Sequence, residues 1–96
     1  MKSLKDIKSI LGNNREKLFK LYPIKSLAIF GSFARNQQQG DSDLDIIVEF
    51  DDKIGIGFID LANELENLIG LKIDLVSKNG IKKRYFQSLE EELIYV

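Results

Sequence analysis

Strand-like and helix-periodic segments take turns along this chain, and that alternation decides the class of fold open to it. IKSLAIF (24–30), DLDIIVEF (43–50) and LKIDLVS (71–77) are short apolar runs bounded by glycine, proline, aspartate or asparagine, as strands are. Between the second and third, Phe58, Leu61, Ala62, Leu65, Leu68 and Ile69 recur at helical spacing, and Gly70 stops that helix. Ahead of the first strand, Ser3 and Asp6 read as a capping box before Leu4, Ile7, Ile10 and Leu11. Gly12 is expected to end that helix, and Asn13 with Glu16 to cap a second one carrying Leu18, Phe19 and Leu21, closed by Pro23; one bent helix is the alternative. FARNQQQ (33–39) is a short helix candidate, Asp51 and Asp52 are candidate caps for the next element, and Asn79-Gly80 marks a turn. The tail KKRYFQSLEEELIYV reads as a last helix with Phe86, Leu89 and Leu93 on one side. The expectation is an α+β fold: a small mixed β-sheet with helices packed against it, in one domain over residues 1–96. Three strands bury little by themselves, so an edge strand or the apolar LIYV ending is a candidate partner surface.

Composition excludes several chemistries. The chain has no cysteine and no histidine, which removes disulfides, thiolate metal sites, ordinary zinc sites and every histidine-based triad. No apolar run is long enough to span a membrane, and the lysine-rich start MKSLKDIKSILGNN does not read as a signal peptide. A soluble cytoplasmic protein is the expectation. Net charge is only −1, but residues 1–25 carry seven Lys/Arg against two acids, while residues 41–66 carry nine acids and one lysine. The acidic part suits cations and the basic part an acidic partner. No continuous basic track argues for direct nucleic-acid binding. The basic cluster Lys82, Lys83 and Arg84 reads as the solvated start of the tail helix, with phosphate or partner contact as the alternative.

The chemistry concentrates in GSFARNQQQGDSDLDIIVEF (31–50). Asp43 and Asp45 are two residues apart in a strand pattern, so they share a face. Two carboxylates so placed repel unless a cation lies between them, and Mg²⁺ takes one or two carboxylates and completes its shell with phosphates and water. Asp74 interrupts the third apolar run between Ile73 and Leu75. If that strand lies beside the second one, Asp74 joins the pair in a carboxylate triad suited to metal-assisted phosphoryl or nucleotidyl transfer. If not, it is an edge residue facing solvent. Asp41 reads as a turn or cap residue rather than a ligand. Gly31-Ser32 follows a strand, where glycine allows close approach of a phosphate and serine offers a hydroxyl. Arg35 is close enough to this turn to pair with a phosphate or with an aspartate. Neither the GxxxxGK[ST] nor the GxGxxG pattern is present. Phe30 and Phe50 end apolar runs and read as core residues, while Tyr22, Tyr85 and Tyr95 read as packing residues or interface anchors.

Gly31-Ser32, ten intervening residues and Asp43-Leu44-Asp45 together resemble the signature of the nucleotidyltransferases related to DNA polymerase beta, and the whole run is most similar to the small stand-alone branch, the minimal nucleotidyltransferases. The resemblance covers nearly the entire chain, including the strand with Asp74 and the ending Ile94-Tyr95-Val96. It implies the nucleotidyltransferase fold, with Gly31, Ser32 and Arg35 holding the triphosphate of ATP, Asp43 and Asp45 binding Mg²⁺, and Asp74 as third carboxylate near the attacking hydroxyl. It also implies a partner: members of this branch are often antitoxins to a small helical HEPN-type ribonuclease toxin, to a tyrosine of which they transfer AMP. Two other functions stay open, a binding protein that neutralises its partner by occlusion and a nucleotidyltransferase acting on RNA or a small molecule. The lack of a second, acceptor-binding domain weighs against the latter. Asn36 stands where the family often has glycine, and Gln37-Gln38-Gln39 is an unusual linker, so the turn after Arg35 is expected to differ.

Overall fold

Alternate residues of the central strands send their side chains into two apolar layers. The computed structural model describes residues 2–96. In chain order the elements are α1 (Leu4–Leu21), β1 (Ile24–Phe30), α2 (Gly31–Ala34), β2 (Leu44–Phe50), α3 (Gly57–Ile69), β3 (Ile73–Ser77), α4 (Lys83–Leu89) and β4 (Ile94–Tyr95), with short 3₁₀ turns over Lys78–Gly80 and Glu90–Glu92. The sheet order is β3-β2-β1-β4. β1 runs antiparallel to both β2 and β4, and β2 runs parallel to β3. A parallel pair needs a crossover, and α3 supplies it. The sheet is therefore mixed, as expected.

Leu27 and Ile29 of β1, Leu44, Ile46, Val48 and Phe50 of β2, and Ile73 of β3 bury one face against Ile7, Leu11 and Leu18 of α1 and Leu61, Leu65 and Ile69 of α3. Ala28, Phe30 and Ile47 bury the other face under Val76, Ile81, Phe86, Leu89 and Leu93. Phe30 and Phe50 are thus core residues. Period-two alternation on the strands and helical spacing on α1 and α3 produce this layering directly.

Four expectations need correction. Gly12 does not end the first helix: α1 runs unbroken from its Ser3–Asp6 capping box to Leu21, so Asn13 caps nothing. Gly12 is exposed and costs about 1 kcal/mol in a helix interior, less than the burial of Ile7, Leu11 and Leu18 returns. Asp51 and Asp52 do not cap α3, whose N-cap position is Ile56 without a side-chain bond; Asp52 instead accepts from Lys53 N at 2.7 Å. The 33–39 helix shrinks to Gly31–Ala34. The tail helix ends at Leu89, and LIYV supplies a fourth strand: Ala28 pairs with Tyr95, Ile29 with Ile94, and Val96 N donates to Leu27 O at 3.0 Å. The apolar ending is thereby spent on its own sheet, although Tyr95 stays 57% exposed. Tyr22 packs partly buried near α3, where desolvation and a hydrogen bond with Glu64 push its hydroxyl up to about 12. No helix among the described residues is long and apolar enough to cross a membrane.

Candidate active site

The sheet brings the predicted aspartates together by register. Phe30 of β1 pairs with Asp45 of β2, and Asp45 pairs with Asp74 of β3. These three residues form one row across three strands, at the sheet end where β1 finishes and β2 and β3 begin. The next row on that face, Ala28, Ile47 and Val76, belongs to the apolar layer. The carboxylates therefore stand at the margin of an apolar floor. Asp43 precedes β2 by one residue and is exposed, Asp45 is half-buried, and Asp74 is exposed. Asp74 stands exposed on the edge strand β3 and, by register, opposite Asp45.

This arrangement perturbs Asp45. Desolvation, then the charges of Asp74 and Asp43, then a hydrogen bond shared with Asp74 push its carboxyl from 3.8 up to about 6, with Arg35 pulling the other way. The Asp45 carboxyl is thus held in a place that disfavours its charge and that a cation would relieve. Among the described residues no group of three acidic side chains is drawn tightly enough to cage a metal unaided. Mg²⁺ does not need such a cage: one or two carboxylates, water and substrate phosphates suffice. The hard oxygen donors and their mutual repulsion fit that ion.

Gly31 lies directly against this pair. Its φ is +75°, a left-handed conformation that favours glycine, and a Cβ built on it would collide with Asp45 Oδ2. Glycine is required here twice over, by backbone conformation and by the carboxyl that fills the space. Ser32 follows, half-buried. Arg35 ends the short α2; its Nε donates to Gln37 Oε1 at 3.1 Å. Asn36 then takes φ +56°, so the turn keeps the left-handed step that glycine would supply, and asparagine is among the few other residues that tolerate it. The glutamine linker closes through Gln39 and Ser42: Gln39 N donates to Ser42 Oγ at 2.8 Å and Ser42 N to Gln39 O at 3.0 Å.

Two glutamates at this end were not singled out from the sequence. Glu66, on α3, accepts from Ile73 N at 3.0 Å and fixes the start of β3 beside Asp74. Glu92 accepts from Gly31 N at 3.1 Å and from Arg35 Nη1 at 3.0 Å. Glu92 acts through sequence-distant partners and Glu66 across the turn between α3 and β3, neither of which a local pattern reveals. Lys82, Lys83 and Arg84 are exposed at the start of α4. A surface depression of about 440 Å³ lies at the opposite end of the sheet, lined by Phe50, Ile54, Ser77 and Asn79 among others. It is remote from the carboxylates, whose chemistry marks the site more firmly than concavity does.

Known proteins share this sequence pattern and fold. The family described as polymerase beta, nucleotidyltransferase matches residues 5–95. A candidate protein adenylyltransferase of Methanocaldococcus jannaschii is 47% identical over 98 residues, covering the whole of both chains. The protein adenylyltransferase MntA of Thermococcus cleftensis is 35% identical over 97 residues, covering 100% of this chain and 98% of its own. Among solved structures, a candidate minimal nucleotidyltransferase superposes with a TM-score of 0.76 at 30% identity over 97% of this chain and 95% of that one. A toxin–antitoxin complex with AMP-PNP shares the fold at a TM-score of 0.71 and 24% identity, covering 86% of this chain and 69% of that one. The chain belongs to the minimal nucleotidyltransferase branch of the polymerase beta nucleotidyltransferase family.

Proposed function

We propose that this protein is a Mg²⁺-dependent adenylyltransferase that transfers AMP from ATP to a tyrosine hydroxyl of a HEPN-type toxin and so acts as its antitoxin. One observation carries the reading: the β2–β3 register sets Asp45 opposite Asp74 while Gly31 packs against Asp45, so the carboxylates and the Gly-Ser turn meet at one sheet end. The identity to protein adenylyltransferases supports the choice of AMP and of a protein acceptor. The shared fold of solved toxin–antitoxin complexes supports the choice of partner.

In this reading Asp43 and Asp45 hold Mg²⁺, with Asp74 beside them. The ion supplies charge neutralisation for the triphosphate and for the pyrophosphate that leaves. The chain's own groups do the rest. Ser32 and Arg35 hold the phosphates, and Gly31, lacking a side chain, lets the Asp45 carboxyl pack against the turn that carries them. Asp74 is exposed on the same row and takes the proton of the incoming tyrosine hydroxyl. The tyrosine oxygen bonds to the α-phosphorus as the bond from that phosphorus to the bridging oxygen breaks. Pyrophosphate departs with the electron pair.

The test is to incubate the protein with ATP, Mg²⁺ and a HEPN-type toxin from the same organism, then weigh the toxin by intact mass spectrometry. The expected result is a gain of one or more AMP groups on tyrosine, abolished in Asp43→Asn/Asp45→Asn. Full modification by that variant refutes the assignment. Neutralisation of the toxin by the variant with no mass gain points to occlusion instead.

A further inference from the structure

A fourth carboxylate sits in this site and takes no part in the reaction assigned above. Glu92 comes from the 3₁₀ turn between α4 and β4, and both its oxygens are engaged at the Gly-Ser turn: Oε1 by Gly31 N at 3.1 Å, Oε2 by Arg35 Nη1 at 3.0 Å. Glu90 and Glu91 beside it are exposed, whereas the Glu92 side chain is only 25% exposed. The Arg35 side chain is 47% exposed. The carboxylate is thus the sheltered member of the pair, and the arginine keeps an open face.

We infer that Glu92 is a positioning residue for the nucleotide's phosphates: it clamps Gly31 N–H and Arg35 from the protein side so that the guanidinium's open side and the Ser32 hydroxyl are presented together to an anion. The inference rests on the nucleotidyltransferase reading. Three considerations support it. First, a guanidinium has five N–H donors. Glu92 and the Gln37 side chain each engage one through Nη1 and Nε, and the remaining three take no protein partner among the described residues. A bidentate phosphate contact is still available without displacing Glu92. Secondly, Arg35 is close enough for its charge to act on Asp45. An arginine without an anchor on its other side is drawn toward Asp43, Asp45 and Asp74, where it neutralises the charge a cation needs. Glu92 opposes that collapse. Thirdly, Gly31 is buried and its N–H points away from any strand partner, so Glu92 also satisfies a donor that is costly to leave unpaired.

The test compares Mg-ATP affinity by titration calorimetry for the wild type, Glu92→Gln, Glu92→Ala, Arg35→Ala and the Arg35→Ala/Glu92→Ala double variant. Glu92→Gln keeps the size of the side chain, so it guards against simple misfolding. Both Glu92 variants are expected to weaken ATP about tenfold, corresponding to one lost charge-assisted contact. In the Arg35→Ala background the Glu92 substitution is expected to add little further loss, because it acts through the arginine. A second readout needs no nucleotide: the Arg35 side-chain Nε resonance should be sharp and shifted in the wild type and averaged in Glu92→Gln, with Arg84 unchanged as control. ATP affinity that survives both Glu92 substitutions refutes the role of Glu92 alone, as does a fully additive loss in the double variant. A wild type that binds no Mg-ATP refutes the nucleotidyltransferase reading, and this role with it, whatever the arginine resonance shows.

Discussion

Replacing Asp45 by asparagine should stabilise the metal-free protein while abolishing its proposed reaction. In the fold the Asp45 carboxyl is pushed from 3.8 to about 6 by desolvation and by Asp74 and Asp43. That rise of roughly two pH units corresponds to about 3 kcal/mol at about 1.36 kcal/mol per unit. Asp45 is only half-buried, and water screening reduces the usable figure to about 1 kcal/mol. The sign follows from proton counting. The unfolded chain loses its Asp45 proton near 3.8, whereas the folded protein holds it until about 6. Between those values the folded state binds more protons, so the wild type loses stability as pH rises through the window and then levels off. Asparagine, with the same shape and no charge, escapes that loss. In EDTA at pH 7.5 the Asp45→Asn protein should melt ~5 °C above the wild type, given ~4–8 °C per kcal/mol for a domain of this size. At pH 4 the two should coincide. Millimolar Mg²⁺ should raise the wild-type midpoint at pH 7.5 and leave that of the variant in place. Thermal melting followed by circular dichroism at pH 4, 5, 6 and 7.5 measures all of this. A variant no more stable than the wild type at pH 7.5, or equally favoured at pH 4, would refute the claim that desolvation and the neighbouring carboxylates make the Asp45 charge costly in the fold.

Other substitutions probe the frame around the carboxylates. Gly31→Ala introduces a Cβ against Asp45 Oδ2 at a φ of +75°, so it should cost about 1–3 kcal/mol in urea denaturation and lose ATP binding in calorimetry. Asn36 at φ +56° should accept glycine within about 1 kcal/mol of the wild type, whereas Asn36→Val should lose about 1–2 kcal/mol by the same measurement. Glu66→Ala removes the acceptor for Ile73 N; a loss of about 1–2 kcal/mol is expected, with a fall in AMP transfer because the start of β3 also carries Asp74.

How far the sequence sufficed depends on how local each signal was. β1 matches its expected limits, Ile24–Phe30, because a seven-residue apolar run between Pro23 and Gly31 has few alternatives. Asp45 was readable as a strand residue because the apolar residues after it mark β2, whereas Asp43 stands one residue ahead of that strand. Asp74 required one further step, that its strand neighbours β2, and the parallel β2–β3 pairing supplies it. Gly12 misled because local propensity is weak beside tertiary burial: Ile7, Leu11 and Leu18 reach the core only along one continuous helix. β4 is two residues long, too short for any period to show. Glu92 was hidden for a different reason. It stands in a run of three glutamates, and only its three-dimensional contacts, 61 residues away at Gly31, set it apart from Glu90 and Glu91.

The tail that delivers Glu92 is also the least anchored part of the molecule. Every fully buried residue among those described lies between Ile7 and Ile73, and none lies in α4 or β4. Such a segment opens by local unfolding at a fraction of the global free energy. When it lifts, β4 leaves the β1 edge and the Gly31 amide loses its acceptor together with Arg35. Amide exchange at Gly31 should therefore follow that of Ile94 and Val96 rather than that of Leu44, which donates to Lys72 O at 2.9 Å. The phosphate end of the site would then belong to a different cooperative unit from the aspartate of β2, so that one half can open while the other remains folded.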